Sequence, residues 1–168
     1  MTSSPSSLKI ALRRATKNDC DALFVWRNHP QIREFAVNSQ PIDWETHCAW
    51  FEKTLGNTHR VLLVAEVFDG DDVRPLGVLR YDFAESAVEA VISIYLIPES
   101  MGKGFGVPLL NAGTEWVKQE YPFLQRIKAD VLPSNQASMK TFERGGFQLI
   151  AEPVDVKDFA HYELEFKR

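Results

Sequence analysis

Cysteine is scarce in this chain: Cys20 and Cys48 are the only two among 168 residues, and neither stands in a Cys-x-x-Cys or Cys/His spacing that could grip a metal. A disulfide framework and a structural zinc site are therefore excluded, and each thiol reads as a reduced helix or core residue of a cytoplasmic protein. Long apolar runs are missing as well. None approaches the roughly 20 residues that a membrane-crossing helix needs. A surplus of basic charge is absent: 19 Lys and Arg against 23 Asp and Glu leave a net charge of −4, and the cations are scattered, which argues against nucleic acid as a partner. The first seven residues lack the positive and apolar regions of a signal peptide and read as a disordered polar tail. Internal repeats and low-complexity linkers are lacking too, so residues 8–168 are expected to form a single domain.

What is present suffices for one core, with 45% hydrophobic and 25% charged residues. Leu8, Ile10 and Leu12 alternate with Lys9 and Arg13, which predicts a strand over 8–14. Thr16 with Asp19 three residues on predicts the start of a helix carrying Leu23, Phe24 and Trp26, interrupted by Pro30. Asp43 reads as the N-cap of a second helix, with Trp44, His47, Cys48, Phe51 and Leu55 at helical spacing up to a Gly56-Asn57 stop. A β-rich meander follows: 61–68, an Asp-Gly-Asp-Asp turn at 69–72, 73–83, then 88–97. A helix is predicted from Val107 to about Tyr121, burying Leu109, Leu110, Gly113, Trp116 and Val117. A strand over 124–132, a helix over 135–144 closed by Gly145-Gly146, and strands over 147–154 and 159–166 complete the order. Helices around a central, mostly antiparallel mixed sheet, an α/β (α+β) architecture, are the expected fold.

Between strand and helix lies Met101-Gly-Lys-Gly-Phe-Gly-Val-Pro108. Gly102, Gly104 and Gly106 can take positive φ and let backbone approach a ligand, while the unpaired amides of the next helix supply donors for an anion. Pro108 costs little in a first turn. An ordinary glycine-rich turn is the plainer alternative. The order Gly-x-Gly-x-Gly in mid-chain fits neither the dinucleotide fingerprint nor a Walker loop, because Lys103 is followed by Gly104.

The same segment resembles the Gln/Arg-x-x-Gly-x-Gly/Ala acetyl-CoA signature of the GNAT N-acetyltransferase family, with Met101 in place of the usual Gln or Arg. The backbone N–H of Met101 is expected to donate all the same. Asn135, which opens a helix ending in Gly146-Phe147, resembles the family's second hallmark, in the expected order and distance. The resemblance implies a GNAT-like fold whose sheet splays at a cofactor cleft, with acetyl-CoA as co-substrate and no metal. It implies cofactor contacts by Leu96, Ile97, Met101, Gly102, Lys103, Gly104, Phe105, Gly106, Asn135, Ser138 and Phe142. As pure chemistry, Asn135 serves equally as a helix N-cap. Phe142 departs from the tyrosine that many relatives aim at the sulfur.

Trp26-Arg-Asn-His-Pro30, with Thr46-His47 and Trp50-Phe51, resembles the amino-sugar branch that acetylates UDP-4-amino-4,6-dideoxy sugars in pseudaminic acid biosynthesis. By that likeness Arg27 and His47 line the nucleotide-sugar side, and Asp82 stands where relatives carry a small hydroxyl residue. Arg27 is otherwise a solvated helix cation, and His47 a cap on an apolar helix face. Period-two alternation puts Ser93 and Tyr95 on one face of their strand, turned to the cleft. Tyr95 matches the branch's general acid, and Asp130 is the carboxylate for a water-relayed base. The alternatives are a half-buried strand aromatic and an edge charge. The expected partner is a small-molecule amine, with no nucleic acid and no membrane, and at most a second copy of the chain as a homodimer. Acetylation of a protein N-terminus or an aminoglycoside, or a non-catalytic acyl-CoA-binding module, are the competing functions.

Overall fold

A computed structural model describes residues 8–151 and 158–167. The proposed tail and the end of the strand expected over 147–154 lie outside the described residues. β1 (Lys9–Arg14) leads through a 3-10 turn (Lys17–Asp19) into α1 (Cys20–Asn28). The carboxylate of Asp19 accepts the Thr16 N–H at 2.7 Å and the Arg13 guanidinium at 2.8 Å through both terminal nitrogens. One side chain thus ties the strand to the start of the helix. Pro30 ends α1 and opens the short α2 (Pro30–Arg33). Asp43 caps α3 (Trp44–Leu55) by accepting the Thr46 N–H at 2.8 Å.

β2 (Arg60–Asp69), β3 (Asp72–Phe83) and β4 (Glu89–Leu96) form the expected meander, with Gly70 at φ +64° in the first turn. α4 (Gly106–Glu120), β5 (Arg126–Val131), α5 (Gln136–Arg144), β6 (Gln148–Ala151) and β7 (Ala160–Glu165) follow. The strands make one seven-stranded sheet in the order β1-β2-β3-β4-β5-β7-β6. Every pairing is antiparallel except that of β4 with β5.

Strand alternation divides the apolar residues between two cores. On one face Leu63, Leu79, Tyr81, Ile92, Ile127 and Ala129 pack with Leu109, Leu110 and Val117 of α4 and Phe142 of α5. On the other, Leu62, Val64 and Val78 pack with Leu23 of α1 and Phe51 of α3. Among the described residues no helix is long and apolar enough to cross a membrane.

The parallel pair β4/β5 is short. It is in register only from Glu89 opposite Arg126 to Val91 opposite Lys128. Beyond that point β4 stays on β3 through Leu96 while β5 stays on β7 through Val131, so the two strands part company. The Ile97 N–H donates to the Leu76 carbonyl at 3.0 Å, and Arg126 N–H to the Val88 carbonyl at 3.2 Å. Because backbone groups alternate between the two edges of a strand, the even-numbered positions, Ile94 and Leu96 among them, present theirs to the gap.

Candidate active site

At the mouth of the gap β4 gives way to a 3-10 turn (Pro98–Ser100) and then to the glycine segment. Gly102 and Gly104 take φ of +70° and +83°, a region that L side chains occupy at a steric cost. The amides of residues 102–107 have no hydrogen-bond partner among the described residues, and Phe105, the residue before α4, provides no side-chain cap. A row of free N–H groups at the positive end of a fifteen-residue helix is a fitting seat for a diphosphate. Beside it opens a cleft of about 300 Å³ lined by Trp26, Arg74, Ile97, Glu99, Lys103 and Phe105.

Two expectations within this segment need correction. Met101 does not offer its N–H, because the 3-10 turn already directs it to the Pro98 carbonyl at 3.3 Å. Gly106 is not in the left-handed region; it is the first residue of α4. It is compact for another reason: an added Cβ would meet Thr141 Oγ1 of α5 at 2.9 Å.

Asn135 caps α5, its Oδ1 accepting the Ser138 N–H at 3.1 Å. This fixes both residues at the helix start, directly after β5. Phe142, expected at the cofactor, is 3% exposed and packs edge-on to Phe147 at 5.0 Å and stacked on Tyr162 at 6.1 Å. Its ring is a core residue, since α5 turns that side toward the sheet. The neighbouring Glu143 instead accepts the Tyr162 hydroxyl at 2.9 Å, and burial together with that carboxylate pushes the phenol up to about 12.

On the α1/α3 side of the sheet, register places Val78 beside Tyr95, Arg80 beside Ser93 and Asp82 beside Val91. Tyr95 is half-buried against the smaller core. Burial pushes its phenol up, opposed by the nearby guanidiniums of Arg27 and Arg80, so it stays protonated through neutral pH. Arg27 donates through Nη2 to the Asn38 carbonyl at 2.9 Å, whereas its Nη1 is buried without a partner. Burial lowers the proton affinity of this guanidinium; Tyr95 works against that, and the like charges of Arg33 and Arg80 add to it. Arg33 is spent on the carbonyls of Asn28 and Ser39, at 2.9 and 3.1 Å. Asn28 clasps Ile42 in both directions at 2.8 Å. The Arg-Asn-His-Pro segment therefore wraps the loop over residues 34–42 while keeping one guanidinium nitrogen open.

His47 is not at the surface of this site. It is 2% exposed, its Nε2 donates to the Cys20 carbonyl at 2.9 Å, and Phe24, Trp44, Trp50 and Phe51 surround the ring within 6.0 Å. It fastens α3 to α1. Asp82 is likewise engaged: Arg60 binds Oδ1, and Arg80 Nε binds Oδ2 at 2.9 Å. Its effect is to hold Arg80, whose Nη2 reaches Ser93 Oγ at 3.4 Å.

Asp130 lies on the same face across the gap, an exposed residue of β5, and its Oδ1 is 2.6 Å from Nδ1 of His161 on β7. Arg33, Arg80 and His161 were not singled out by the sequence. For Arg80 a signal existed, since Arg80 and Asp82 break an apolar strand at alternate positions and so share a face. For His161 there was none, because its partner is 31 residues away and only strand pairing brings them together. Among the described residues no cluster of three metal-ligating side chains occurs.

In comparisons with known proteins, residues 9–148 match the family described as the acetyltransferase (GNAT) domain. An uncharacterized protein of Methanocaldococcus jannaschii, MJ1062, is 26% identical over 141 residues, a match covering 83% of this chain and 28% of that protein; this chain thus spans under a third of that relative. The acetyltransferase PseH of Campylobacter jejuni is 27% identical over 146 residues, covering 85% of this chain and 83% of its own length. The solved structure of the aminoglycoside acetyltransferase AAC(6')-Ib with coenzyme A superposes with a TM-score of 0.78 at 20% identity, over 94% of this chain and 95% of that one. At that identity the likeness is one of fold.

Proposed function

The chain belongs to the GNAT acetyltransferase family, which uses acetyl-CoA, and from that premise we propose that it N-acetylates a small primary amine bearing its own negative charge. The acceptor proposed is the 4-amino group of a UDP-linked amino-dideoxy sugar. The observation that carries this reading is the uncompensated cationic cluster beside Tyr95. Arg27 and Arg33 have no carboxylate partner among the described residues, and Arg27 Nη1 is buried and unbonded. A guanidinium withdrawn from water is costly unless an anion completes it, and a diphosphate takes it with two parallel hydrogen bonds. A polycationic aminoglycoside would be repelled at the same place. The likeness of the Arg-Asn-His-Pro segment to the amino-sugar branch supports the same acceptor.

In this reading the amides of residues 102–107, with Lys103 as counter-charge, hold the diphosphate of acetyl-CoA. The free edge of β4 at Leu96 pairs with its extended arm, beside Ile97, Phe105 and the Asn135–Ser138 cap. Bound acetyl-CoA supplies the activated acyl group. Arg27 and Arg80 orient the acceptor, Tyr95 donates a proton toward the departing sulfur, and Asp130 belongs to the side that removes the proton from the amine.

Release of CoA from acetyl-CoA tests the proposal, measured with UDP-4-amino-sugars, kanamycin, spermidine and peptides as acceptors. Turnover greatest with the nucleotide sugars is expected. Turnover on the cations or peptides alone would overturn the acceptor assignment. Tight acetyl-CoA binding without turnover on any amine would mark a non-catalytic binding module.

A further inference from the structure

The pairing of Val91 with Lys128 is the last between β4 and β5. Two residues further along each strand, on the same face, stand Ser93 and Asp130, facing one another across the gap. The row continues outward on both sides, to Arg80 from Ser93 and to His161 from Asp130. Asp130 and His161 are 47% and 49% exposed, and a pair so open to water adds little to stability. Their contact, at 2.6 Å, does have a chemical consequence. The neutral tautomer that donates from Nδ1 to that carboxylate leaves the Nε2 lone pair free, the arrangement of an imidazole oriented by an acid. β7 lies one strand spacing, about 4.8 Å, from β5, so the ring stands one strand removed from the edge of the gap.

We infer that His161 is the general base of the acetyl transfer and that Asp130 is its positioning residue; this rests on the acetyltransferase reading above. The acceptor ammonium gives one proton, relayed by solvent, to Nε2 of His161. The freed nitrogen forms the C–N bond to the acetyl carbon as the C–S bond breaks. The nitrogen sheds a second proton, which reaches the sulfur by way of Tyr95, and His161 returns its own proton to solvent. Among the described residues the charged groups on this face around the ring are Asp130, Lys128 and Arg126 of β5 and Glu163 of β7; Lys128 is bound to Glu89 at 3.0 Å and Arg126 to Glu163 at 3.5 Å. Of the described residues of β6, Ala151 stands beside it.

The test uses whichever acceptor of the panel turns over best, and follows kcat/KM against pH for the natural chain, His161→Asn and Asp130→Asn. Asparagine at 161 can still donate to Asp130 but cannot take up a proton. The expected result for His161→Asn is a loss of about a hundredfold near neutrality. Its pH limb should be replaced by one that follows only the acceptor amine, with partial recovery on adding imidazole and an unchanged acetyl-CoA Kd. Asp130→Asn should lose less and displace the limb. An unchanged pH profile in His161→Asn, with turnover intact, would overturn the base assignment alone. Failure of the natural chain to acetylate any amine would overturn the transferase reading and this inference with it.

Discussion

Thr141 of α5 occupies the space that a side chain on Gly106 would need: a Cβ there would come within 2.9 Å of its Oγ1 and 3.4 Å of its Cγ2. The threonine cannot simply swing away, since its hydroxyl donates to the Ala137 carbonyl at 2.9 Å and a β-branched side chain has little rotamer freedom in a helix. The contact sets how closely α5 approaches the start of α4, and with it the position of the free amides.

Gly106→Ala should therefore destabilise the protein although alanine is the better helix former. Overpacking of this kind costs about 1–3 kcal/mol, against a helix-propensity gain of up to about 1 kcal/mol. A net loss of about 1 kcal/mol lowers Tm by roughly 2–4 °C in a chain of this length. Acetyl-CoA affinity should fall as well, and Thr141→Ala added to Gly106→Ala should restore most of both. If the single variant melts no lower than the natural chain, α5 yields and the contact does not set the spacing.

Asp82 holds Arg80 in place on the face proposed for the acceptor, so its removal should be felt as loss of acceptor binding more than of stability. A charge-assisted hydrogen bond is worth about 1.5–3 kcal/mol, which corresponds to a KM raised about tenfold or more in Arg80→Ala, with kcat little changed. Asp82→Asn should raise KM by a smaller factor, and added salt should weaken acceptor binding by the natural chain more than by Arg80→Ala. Equal KM values in Arg80→Ala and the natural chain would remove Arg80 from the acceptor site.

Much of this architecture was legible because it is written in local pattern. The alternation over 8–14, the cap at Asp43, the turn at 69–72 and the Gly102–Gly104 turn each depend on neighbours within a few residues, and each is where the pattern put it. The splay of β4 from β5 followed from the family resemblance and not from periodicity. What could not be read depended on pairing at a distance. His47 looked like a candidate donor because its local neighbours Trp44, Trp50 and Phe51 mark an apolar helix face but do not reveal that Phe24 and the Cys20 carbonyl of α1 close over it. Met101 looked free because a 3-10 turn at Pro98 leaves no strong mark. Phe142 sits on the side of α5 that faces Phe147 and Tyr162, a matter of how the helix is rotated on the sheet. His161 acquires meaning only beside Asp130.

The tie between Asp19 and Arg13 predicts acid sensitivity with a definite direction. The bidentate bond from Arg13, aided by the Thr16 N–H and only partly offset by burial, holds the Asp19 carboxyl below its usual range. A carboxylate with a lowered folded pKa stabilises above its unfolded value of about 3.9 and loses that contribution as pH falls through the lower folded value. Asp19→Asn should thus melt below the natural chain at pH 7, and the gap should close progressively as pH drops beneath about 4. Thermal denaturation of both chains from pH 7 to 2.5 checks this. A gap of constant size across that range would mean that the aspartate acts through shape alone.

Tyr95 carries the sharpest prediction about chemistry. Its hydroxyl is kept protonated by burial, with Arg27 and Arg80 close by to pull the other way, so it can hand over a proton yet is reluctant to become a phenolate. Transfer to a departing thiolate, whose conjugate acid is ordinarily near 8.5, succeeds only if it is concerted with C–S cleavage and if the adjacent guanidiniums steady the oxygen as it becomes anionic. Tyr95→Phe should lower kcat about 10²-fold or more while acetyl-CoA binding, assigned in the proposal to backbone amides elsewhere, stays within about twofold by calorimetry. Arg27→Lys should then show a part of the same loss in kcat, beyond its effect on KM, because the steadying charge is displaced. If Tyr95→Phe turns over at the natural rate, the thiolate leaves unprotonated and the cationic cluster acts on the acceptor only.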